Sequence, residues 1–447
     1  MRWLYNILFL LFFLFASPYY FFRLCRRGCW RKGFRQRLGD FDKDVQQSLT
    51  NRHVVWVHAA RVGQTNVCVA LVNALHERMP NAKILVSTTA VAAMAQLRER
   101  LPARVGKIYY PIDLDKYVFL ALHAIHPNAV ILIESGIWPN FIWRARASHI
   151  PLFLVDARLS NRSYRRYKRF GFLFRDLFGA FCEVGAQTET CAAALRQVGC
   201  RPEAVHVLGD LRFDAAQANP VSGPDARELL ARLGAGDDAL VWVAGGTHPG
   251  EERILAAQFL RLRRRFPNLL LVLVPRHVER ARAIGRDLGN RGLKLVFRTE
   301  IASATALPPG SPECLLVDAP GEFMSFCSCA AVVFLGKSLA AHGGQNPIEP
   351  AALGKAIVFG PNMEDFSDAG RLLVGGGGAT QVRDAAELER AMEALLADAG
   401  RRVQLGAAAR RIVKENQGAL ARTVEMIAAK LAERGVYVAP LPGNAQD

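Results

Sequence analysis

A pair of glycines followed by a polar Asn-Pro-Ile-Glu run has the residue types and spacing needed to hold a nucleotide. Gly343 and Gly344 come first, and Asn346-Pro347-Ile348-Glu349 follows shortly after. Two glycines allow the backbone to approach a ligand closely. A helix that begins just beyond them directs its free N–H groups at that ligand, which is most often a phosphate. Near the start of this helix, the Glu349 carboxylate can accept hydrogen bonds from ribose hydroxyls. The alternative is a sharp β–α turn without a ligand, because such turns are also rich in glycine.

Other polar residues stand where apolar, strand-like runs end, and ligands bind at these carboxyl ends in parallel α/β sheets. Glu134 ends one run, where a carboxylate is costly unless it is paired or functional. Arg276 follows a second run and can pair with a phosphate, although a surface ion pair is the alternative. His58 ends a third run, where a histidine is more often structural. We expect Glu134 and Arg276 to line ligand sites.

The apolar runs that position these residues alternate with helix-length segments in two series. Runs that are apolar throughout indicate strands buried on both faces, as in parallel sheets. The runs are 54–57, 84–86, 129–133, 151–155 and 204–208, and then 240–243, 269–274, 295–297, 315–317, 331–335 and 356–359.

These two series divide the chain into domains. The first series lies within 51–214 and the second within 239–434, while 215–238 is polar and contains Gly and Pro. We predict an α/β protein with two Rossmann-like domains that face a cleft, joined by an interdomain crossover at 215–238. A tail is predicted at 435–447.

Composition restricts the class of protein and its partners. The chain has 447 residues, a formal net charge of +17 and 9 cysteines. This length allows two or three domains. The cysteines form no disulfide framework and no Cys-x-x-Cys pair with histidine partners, so we predict no zinc site and a reducing, cytoplasmic location. The net positive charge indicates an anionic partner or surface. No nucleic-acid-binding motif accompanies it, so anionic phospholipid or a phosphorylated glycolipid is predicted instead of nucleic acid.

The N-terminus predicts an attachment to the membrane. Residues 1–22 are nearly all apolar, and arginines are frequent directly after them. A helix of about twenty apolar residues reaches roughly 30 Å, enough to cross a bilayer core. Because the positive charge follows the apolar run, the body of the protein is predicted at the cytoplasmic face. A cleaved signal peptide would carry its charge before the run. We predict a membrane anchor over 1–22, either spanning or interfacial, and a basic linker over 23–50.

A second basic segment, 158–172, interleaves arginines with aromatic residues. Aromatic rings prefer the boundary between water and lipid, and arginines prefer phosphates. We predict contact with a membrane or a lipid phosphate here. An ordinary solvated helix face is the alternative.

A series of motifs runs through the chain in a fixed order: Ala60-Arg-Val-Gly-Gln64, Glu134-Ser-Gly-Ile-Trp138-Pro139-Asn140, Asp156-Ala-Arg158-Leu-Ser160, Gly209-Asp-Leu-Arg212-Phe-Asp214, Gly246-Thr-His248-Pro-Gly-Glu251-Glu252, Pro275-Arg276-His277-Val-Glu-Arg280, Gly321-Glu322 and the glycine-Asn-Pro-Ile-Glu segment. Together these motifs resemble those of the Kdo transferases, which move 3-deoxy-D-manno-octulosonic acid (Kdo) from CMP-Kdo to the lipid A precursor of Gram-negative outer membranes. The resemblance extends from the apolar N-terminus to Leu420.

The resemblance implies a GT-B fold, in which 51–214 binds the acceptor, 239–434 binds the CMP-sugar and a helix near 401–434 returns to the first domain. It implies metal-independent transfer from CMP-Kdo to lipid IVA at the cytoplasmic face of the inner membrane. Glu134 and the residue at 212 would stabilise the transition state. The implied CMP contacts are Pro275, Arg276, Pro320, Gly321, Glu322, Asn346, Pro347, Ile348 and Glu349.

The chain departs from the family pattern at its catalytic positions. The family's general base is a Glu where this chain has Gln64, its second Glu is replaced by Gly136, and its Lys is replaced by Arg212. An amide cannot accept a proton from a hydroxyl as a carboxylate can. General-base help is worth about 10² to 10⁴ in rate. If only the base is missing, Gln64→Glu should raise turnover by about 10²-fold. His58 and Glu134 are the alternative bases.

Three interpretations follow from the sequence. The first is an active Kdo transferase. The second is a catalytically impaired paralogue that binds the donor and has a binding or regulatory role, as Gln64 and Gly136 suggest. The third, with less support, is a transferase that uses a UDP-sugar.

Overall fold

The computed structural model describes residues 5–7, 9–11, 14–15, 33–50, 52–134, 136–218, 224–301 and 313–439. Most of the predicted anchor at 1–22 and much of the linker at 23–50 lie outside these residues. Those that are described between 5 and 15 are helical. Across the described ranges, no helix is long and apolar enough to cross a membrane.

The described chain forms two compact units. The first comprises the described residues up to Ala218 and those from Gln417 onward, and the second comprises those from 224 to Asn416. The sequence predicts that the second domain ends at residue 434. The structure divides the chain at Asn416, because the residues that follow pack on the first unit.

The first unit contains a parallel seven-stranded sheet with the order β3-β2-β1-β4-β5-β6-β7. Its strands are β1 (Val54–His58), β2 (Lys83–Thr88), β3 (Gly106–Tyr109), β4 (Ala129–Ile133), β5 (Leu152–Ala157), β6 (Glu183–Ala186) and β7 (Val205–Val207). Its helices before residue 219 are α1 (Phe34–Arg37), α2 (Lys43–Leu49), α3 (Thr65–Arg78), α4 (Val91–Arg100), α5 (Asp115–Ile125), α6 (Pro139–Ala147), α7 (Asn161–Arg169), α8 (Gly171–Phe178), α9 (Glu189–Val198) and α10 (Leu211–Ala218).

The strand β1 shows why this sheet is buried on both faces. Its side chains alternate between faces, as strand geometry requires. Val54 and Trp56 join the core that contains residues of α5, α6 and α9, while Val55 and Val57 join a second core formed with α3. A strand between two helical layers must therefore be apolar throughout, which is the pattern that the sequence shows.

The second unit contains another parallel seven-stranded sheet, with the order β10-β11-β9-β8-β12-β13-β14. Its strands are β8 (Leu240–Thr247), β9 (Leu269–Pro275), β10 (Leu295–Phe297), β11 (Cys314–Leu316), β12 (Val332–Leu335), β13 (Ala356–Phe359) and β14 (Thr380–Gln381). Its helices are α11 (Ala226–Arg232), α12 (Glu251–Arg263), α13 (Ala281–Gly289), α14 (Phe323–Cys329), α15 (Ile348–Ala352), α16 (Ser367–Gly375), α17 (Ala385–Ala397) and α18 (Ala399–Glu415).

Both sheets reverse their strand order at one point, between β1 and β4 in the first sheet and between β8 and β12 in the second. In open parallel sheets, ligands bind outside the carboxyl ends of the strands at such a switch point. The loops that follow these four strands are therefore the expected positions of ligand-binding residues.

A final helix, α19 (Ala419–Ala432), returns the chain to the first unit. The sequence predicts one helix near 401–434, whereas the structure has α18 and α19 as separate helices in different units. Asp214 accepts hydrogen bonds from the backbone N–H of Gly418 at 2.8 Å and of Leu420 at 3.2 Å. Arg78 on α3 holds Glu425 with Nε–Oε1 and Nη2–Oε2 distances of 2.7 and 3.0 Å.

We predict that Asp214→Ala destabilises the first unit by about 1 kcal/mol, because two N–H groups at the start of α19 lose their acceptor. Thermal unfolding of the full chain measures this effect, and Asp214→Asn, which keeps one acceptor oxygen, should lose less. Equal melting temperatures for wild type and Asp214→Ala would contradict the assigned capping role.

Candidate functional site

Glu134 lies at the switch point of the first sheet, directly after β4. Its backbone has φ of +62°, a left-handed conformation that is uncommon for a long side chain and often marks a functional position. Gln64 ends a short 3₁₀ turn, Val62–Gln64, that follows β1 and leads into α3. The structure therefore brings Gln64 and Glu134 together from neighbouring strands.

Two donors bind the same oxygen of the Glu134 carboxylate. Gln64 Nε2 donates to Glu134 Oε2 at 2.8 Å, and Arg61 Nη2 donates to it at 2.7 Å. The other end of the Gln64 amide is also occupied, because its Oε1 accepts the backbone N–H of Arg61 at 3.2 Å. Gln64 is buried, so its amide is fixed as a donor to Glu134.

Arg212, the third predicted catalytic residue, lies on α10 and is also buried. Asp210 binds it in a two-pronged pair, with Nε–Oδ1 and Nη2–Oδ2 distances of 2.8 and 2.7 Å. Burial acts to lower the pKa of the guanidinium, but Asp210, Asp156 and Glu134 together raise it. Arg212 therefore stays charged and lies within electrostatic range of Glu134, as the prediction of a shared site requires.

Asp156, near the end of β5, is a buried carboxyl that the sequence-based choice of site residues left out. Its Oδ1 accepts from Gln187 Nε2 at 2.9 Å and from the Leu211 N–H at 3.0 Å, while its Oδ2 has no partner among the described residues. Burial, with the neighbouring Asp210 charge, raises its pKa to about 7. Its backbone has φ of +54°, so a carboxyl-bearing residue in a left-handed conformation lies just before the end of β5, as Glu134 does just after the end of β4.

His58, the alternative base, is enclosed at the end of β1. Its Nδ1 lies 2.9 Å from Ser87 Oγ, and its ring packs on Tyr110 with 3.9 Å between centroids. Burial lowers its pKa to about 3, and its Nε2 has no partner among the described residues. A Cβ on Gly136 would lie 3.7 Å from this ring, so the position of the missing second Glu adjoins His58.

The loop after Glu134 is held by a buried carboxyl, Asp113. Its oxygens accept the backbone N–H groups of Asn140 at 3.1 Å and Phe141 at 2.9 Å, at the start of α6. Burial raises its pKa to about 7, against the effect of a hydrogen bond from the Tyr5 hydroxyl at 2.9 Å. Asn6 accepts from the Asn140 side chain at 2.7 Å. The described N-terminal residues thus contact Asn140 at the start of α6, directly after Trp138, and the carboxyl that caps this helix.

At the switch point of the second sheet, the loop after β12 folds around the carboxylate of Glu251, the first residue of α12. Glu251 Oε2 accepts the backbone N–H groups of His248 at 2.9 Å and Lys337 at 2.7 Å. Its Oε1 accepts those of Ser338 and Leu339, both at 3.0 Å. Because this carboxylate occupies them, these N–H groups are not available to a phosphate.

The paired glycines also have internal partners. Gly343 N–H donates to Glu364 Oε2 at 2.7 Å, and Gly344 N–H donates to the Lys337 carbonyl at 2.8 Å. The helix that follows, α15, begins only at Ile348 and is 5 residues long. The expected phosphate cradle of backbone N–H groups is therefore not what this segment forms here.

Side chains of the predicted CMP contacts lie at the carboxyl edge of the second sheet. Pro275 ends β9, and the exposed Arg276 side chain that follows it makes no hydrogen bond or ion pair with a described residue. Pro320 and Gly321 precede Glu322, which pairs with Arg298 Nε at 2.9 Å. Because β9 and β11 are neighbours, Arg276 and Glu322 follow adjacent strands.

The remaining predicted contacts belong to the start of α15. Asn346 Oδ1 accepts the Ile348 N–H at 3.1 Å, and Asn346 Nδ2 donates to Glu349 Oε1 at 3.2 Å. Pro347 lies between Asn346 and Ile348. The two hydrogen bonds of Asn346 therefore hold the Asn346 and Glu349 side chains in place at the start of α15.

Two parallel α/β sheets, each with polar residues at its switch point, define a protein of the GT-B-like fold. Solved structures share this fold. S. aureus MnaA in its structure with UDP has a TM-score of 0.58 and 16% identity, covering 85% of this chain and 97% of that one. A UDP-N-acetylglucosamine 2-epimerase from Listeria monocytogenes has a TM-score of 0.59 and 14% identity, covering 86% and 97%.

Sequence comparisons identify the family. A family model described as 3-deoxy-D-manno-octulosonic-acid transferase (kdotransferase) matches residues 32–215. The 3-deoxy-D-manno-octulosonic acid transferase of Haemophilus influenzae is 30% identical over 401 residues, covering 88% of this chain and 91% of that protein. That of Bordetella pertussis is 33% identical over 386 residues, covering 83% and 86%. The chain belongs to the Kdo transferase family, which confirms the resemblance, and it is a glycosyltransferase.

We predict that Asp156→Asn changes how stability depends on pH. The folded protein holds the Asp156 proton up to about pH 7, whereas the unfolded chain loses it near pH 4. Wild type therefore loses stability relative to Asp156→Asn as pH rises from about 4 to about 7, because the folded protein retains a proton that the unfolded chain has already lost. Melting temperatures of both proteins at pH 5, 6, 7 and 8 test this, and a difference that is constant with pH would contradict it.

Proposed function

We propose that this chain transfers Kdo from CMP-Kdo to a lipid A precursor, lipid IVA, at the cytoplasmic face of the inner membrane. The observation that carries the proposal is identity of 30% and 33% to Kdo transferases over most of both chains. The contact between Gln64 and Glu134, with Arg212 in electrostatic range, supports it because the family resemblance implies catalytic roles at these three positions.

In the proposed reaction, the bond between the anomeric carbon of Kdo and the phosphate oxygen breaks, and CMP leaves with the electron pair. A hydroxyl of the acceptor forms the new bond and gives up its proton. The carbon becomes oxocarbenium-like, and carboxylates of the first unit favour that charge. The proposed reaction uses no metal ion.

Donor binding is assigned to the edge of the second sheet. Arg276 is exposed and its side chain makes no hydrogen bond or ion pair with a described residue, so its guanidinium can bind the CMP phosphate. The loop N–H groups bound to Glu251 are already occupied. Phosphate recognition therefore depends on side chains, and above all on Arg276. Asn346, Glu349 and Glu322 supply the polar groups for the base and ribose.

Anionic lipid is the proposed second partner. A groove of about 780 Å³ lies along α6, α7, α8 and α9 and is lined by Arg146, Lys168, Arg169 and Arg175, with Asp176, which pairs with Arg146, among others. Beside these cations, the Phe172 side chain is 61% exposed. An aromatic side chain that is exposed among arginines matches the boundary between lipid headgroups and acyl chains.

The proposed function predicts acceptor-dependent release of CMP. Purified full-length protein with CMP-Kdo and lipid IVA should release CMP, and omission of lipid IVA should abolish the release. Arg276→Ala should weaken donor binding by about 10- to 150-fold, the loss expected for a charged hydrogen bond of about 1.5 to 3 kcal/mol. Arg286→Ala, an exposed arginine on α13, is the matched control.

The alternative functions give different results in the same preparation. Protection from thermal unfolding by CMP without any CMP release favours the non-catalytic paralogue, for which Gln64 is the motivating residue. Protection by UDP in place of CMP favours a UDP-sugar transferase. Absence of both release and CMP protection would overturn the proposed function.

Lipid contact predicts a second measurable effect. Arg169→Glu with Arg175→Glu should reduce sedimentation with vesicles of phosphatidylglycerol and phosphatidylethanolamine by about tenfold or more, because each basic residue near an anionic surface is worth about 1 kcal/mol. The control is Arg286→Glu with Arg390→Glu, an equal charge change on exposed positions of the second unit. An equal loss in both variants would show that net charge, and not this groove, binds the vesicles.

A further inference from the structure

Three neighbouring aromatic side chains of the first unit each have a buried polar atom that lacks a partner. His58 Nε2, Tyr110 Oη and Trp138 Nε1 make no hydrogen bond to a described residue. The Tyr110 ring lies 3.9 Å from the His58 ring and 5.8 Å from the Trp138 ring, measured between centroids. Unpaired buried polar atoms are destabilising and rare, so three in one place indicate that a bound group satisfies some of them.

Gly136 leaves an open space beside two of these atoms. A Cβ at this position would lie 3.7 Å from His58 Cδ2, which is bonded to Nε2, and 3.8 Å from Trp138 Nε1. Apart from the chain neighbours of Gly136, no other described residue comes within 4 Å of that point. Both distances are ordinary van der Waals contacts, so a flat group fits between His58 and Trp138. Gly136 and Trp138 are half-buried, which leaves the space open on their side.

Both nitrogens that border this space are donors. The indole nitrogen of Trp138 can only donate. Burial lowers the pKa of His58 to about 3, so its ring is neutral and carries one proton. Ser87 Oγ accepts from Trp56 Nε1 at 2.7 Å and lies 2.9 Å from His58 Nδ1. Because Ser87 already accepts from Trp56, its hydroxyl proton is directed to His58 Nδ1, and the ring proton is assigned to Nε2.

The shape of the space and the two donors select the kind of ligand. Two N–H groups beside a flat space match the two oxygens of a planar carboxylate, whereas a tetrahedral phosphate is thicker. Hydrogen bonds from N–H groups to a carboxylate are also stronger than those to a neutral acceptor. Two carboxylates of the unit already have cationic partners, since Arg61 pairs with Glu134 and Arg212 pairs with Asp210, each at 2.7 Å. These ion pairs limit the repulsion that a further carboxylate meets.

We propose that the space beside Gly136 is a binding site for a carboxylate group, which accepts hydrogen bonds from His58 Nε2 and Trp138 Nε1. Two sources offer this chemistry: the carboxylate of the Kdo donor, and a small carboxylate that is free in solution. The first source rests on the proposed function, and the second does not.

Thermal unfolding of the full-length protein at pH 7 tests the site with acetate as the probe. Sodium acetate at about ten times its dissociation constant should raise the melting temperature of wild type by about 2 to 4 °C. Sodium chloride of equal ionic strength and acetamide, a neutral molecule of the same shape, should not. Gly136→Ala should lose the shift because its methyl group fills the space. Trp138→Phe should lose most of it, because the variant keeps an aromatic ring but lacks the N–H group.

The matched control is Gly289→Ala in the second unit. A Cβ at Gly289 also meets open space, so this variant makes the same chemical change away from the site. It should keep the full acetate shift of wild type.

Binding of CMP-Kdo and of CMP distinguishes the two sources, because CMP has no carboxylate. If the donor supplies the carboxylate, Gly136→Ala should weaken CMP-Kdo binding by about tenfold or more and leave CMP binding unchanged. Acetate should then compete with CMP-Kdo. If the carboxylate comes from solution, acetate and CMP-Kdo should bind together, and Gly136→Ala should bind CMP-Kdo as wild type does.

The outcomes separate failure of the inference from failure of the proposed function. An acetate shift that is equal in wild type and Gly136→Ala, or that Trp138→Phe retains in full, overturns the inference. If wild type shows no acetate shift, the inference stands only if Gly136→Ala weakens the binding of CMP-Kdo and not of CMP; otherwise it is overturned. Absence of CMP release from wild type overturns the proposed function alone, because an acetate shift that depends on Gly136 would still show the carboxylate site.

Discussion

The hydrogen bonds of the buried Glu251 carboxylate are the interaction on which the carboxyl edge of the second sheet depends. It joins the start of α12, the end of β8 and the loop after β12 through backbone N–H groups. Close approach of the two strand ends is part of the same arrangement, since a Cβ on Gly336 would lie 2.7 Å from the Gly246 carbonyl oxygen. Each of these N–H groups would otherwise be left without a partner, at a cost of about 1 to 3 kcal/mol. One carboxylate thus fixes the loop that leads to Gly343, Gly344 and Asn346.

Charge balance has a comparable role in the first unit. Glu134, Asp156 and Asp210 interact electrostatically with Arg212, and Arg61 adds a second cation at Glu134. Buried charged side chains such as these are stable only when opposite charges and hydrogen bonds offset the cost of removing them from water. Neutral residues at 64 and 136 limit the negative charge in a site that already holds three carboxyls.

Continuous apolar runs predicted the fold because a strand between two helical layers leaves no room for polar side chains. The runs at 54–57 and 129–133 became β1 and β4, the strands on either side of the switch point. Strands β3 and β6 were not among the predicted runs, because Gly106-Lys107 and Glu183 with Gly185 interrupt their apolar pattern. Motif positions at strand ends likewise located Gln64, Glu134 and Arg276. The partners of these residues were not predictable, since the contact of Glu251 with residues 337–339 and that of Asp156 with Gln187 depend on tertiary packing.

The hydrogen bonds of Tyr5 and Asn6 have a practical consequence for anyone who shortens this protein to improve its solubility. Tyr5 donates to the carboxyl that caps α6, and Asn6 binds the Asn140 amide. A preparation that begins after residue 6 would lack both contacts, and Asp113 would keep only its backbone donors from α6. The loop that ends at Trp138 would then lead into a less firmly held start of α6. Low activity in such a shortened protein would therefore reflect an altered loop before α6.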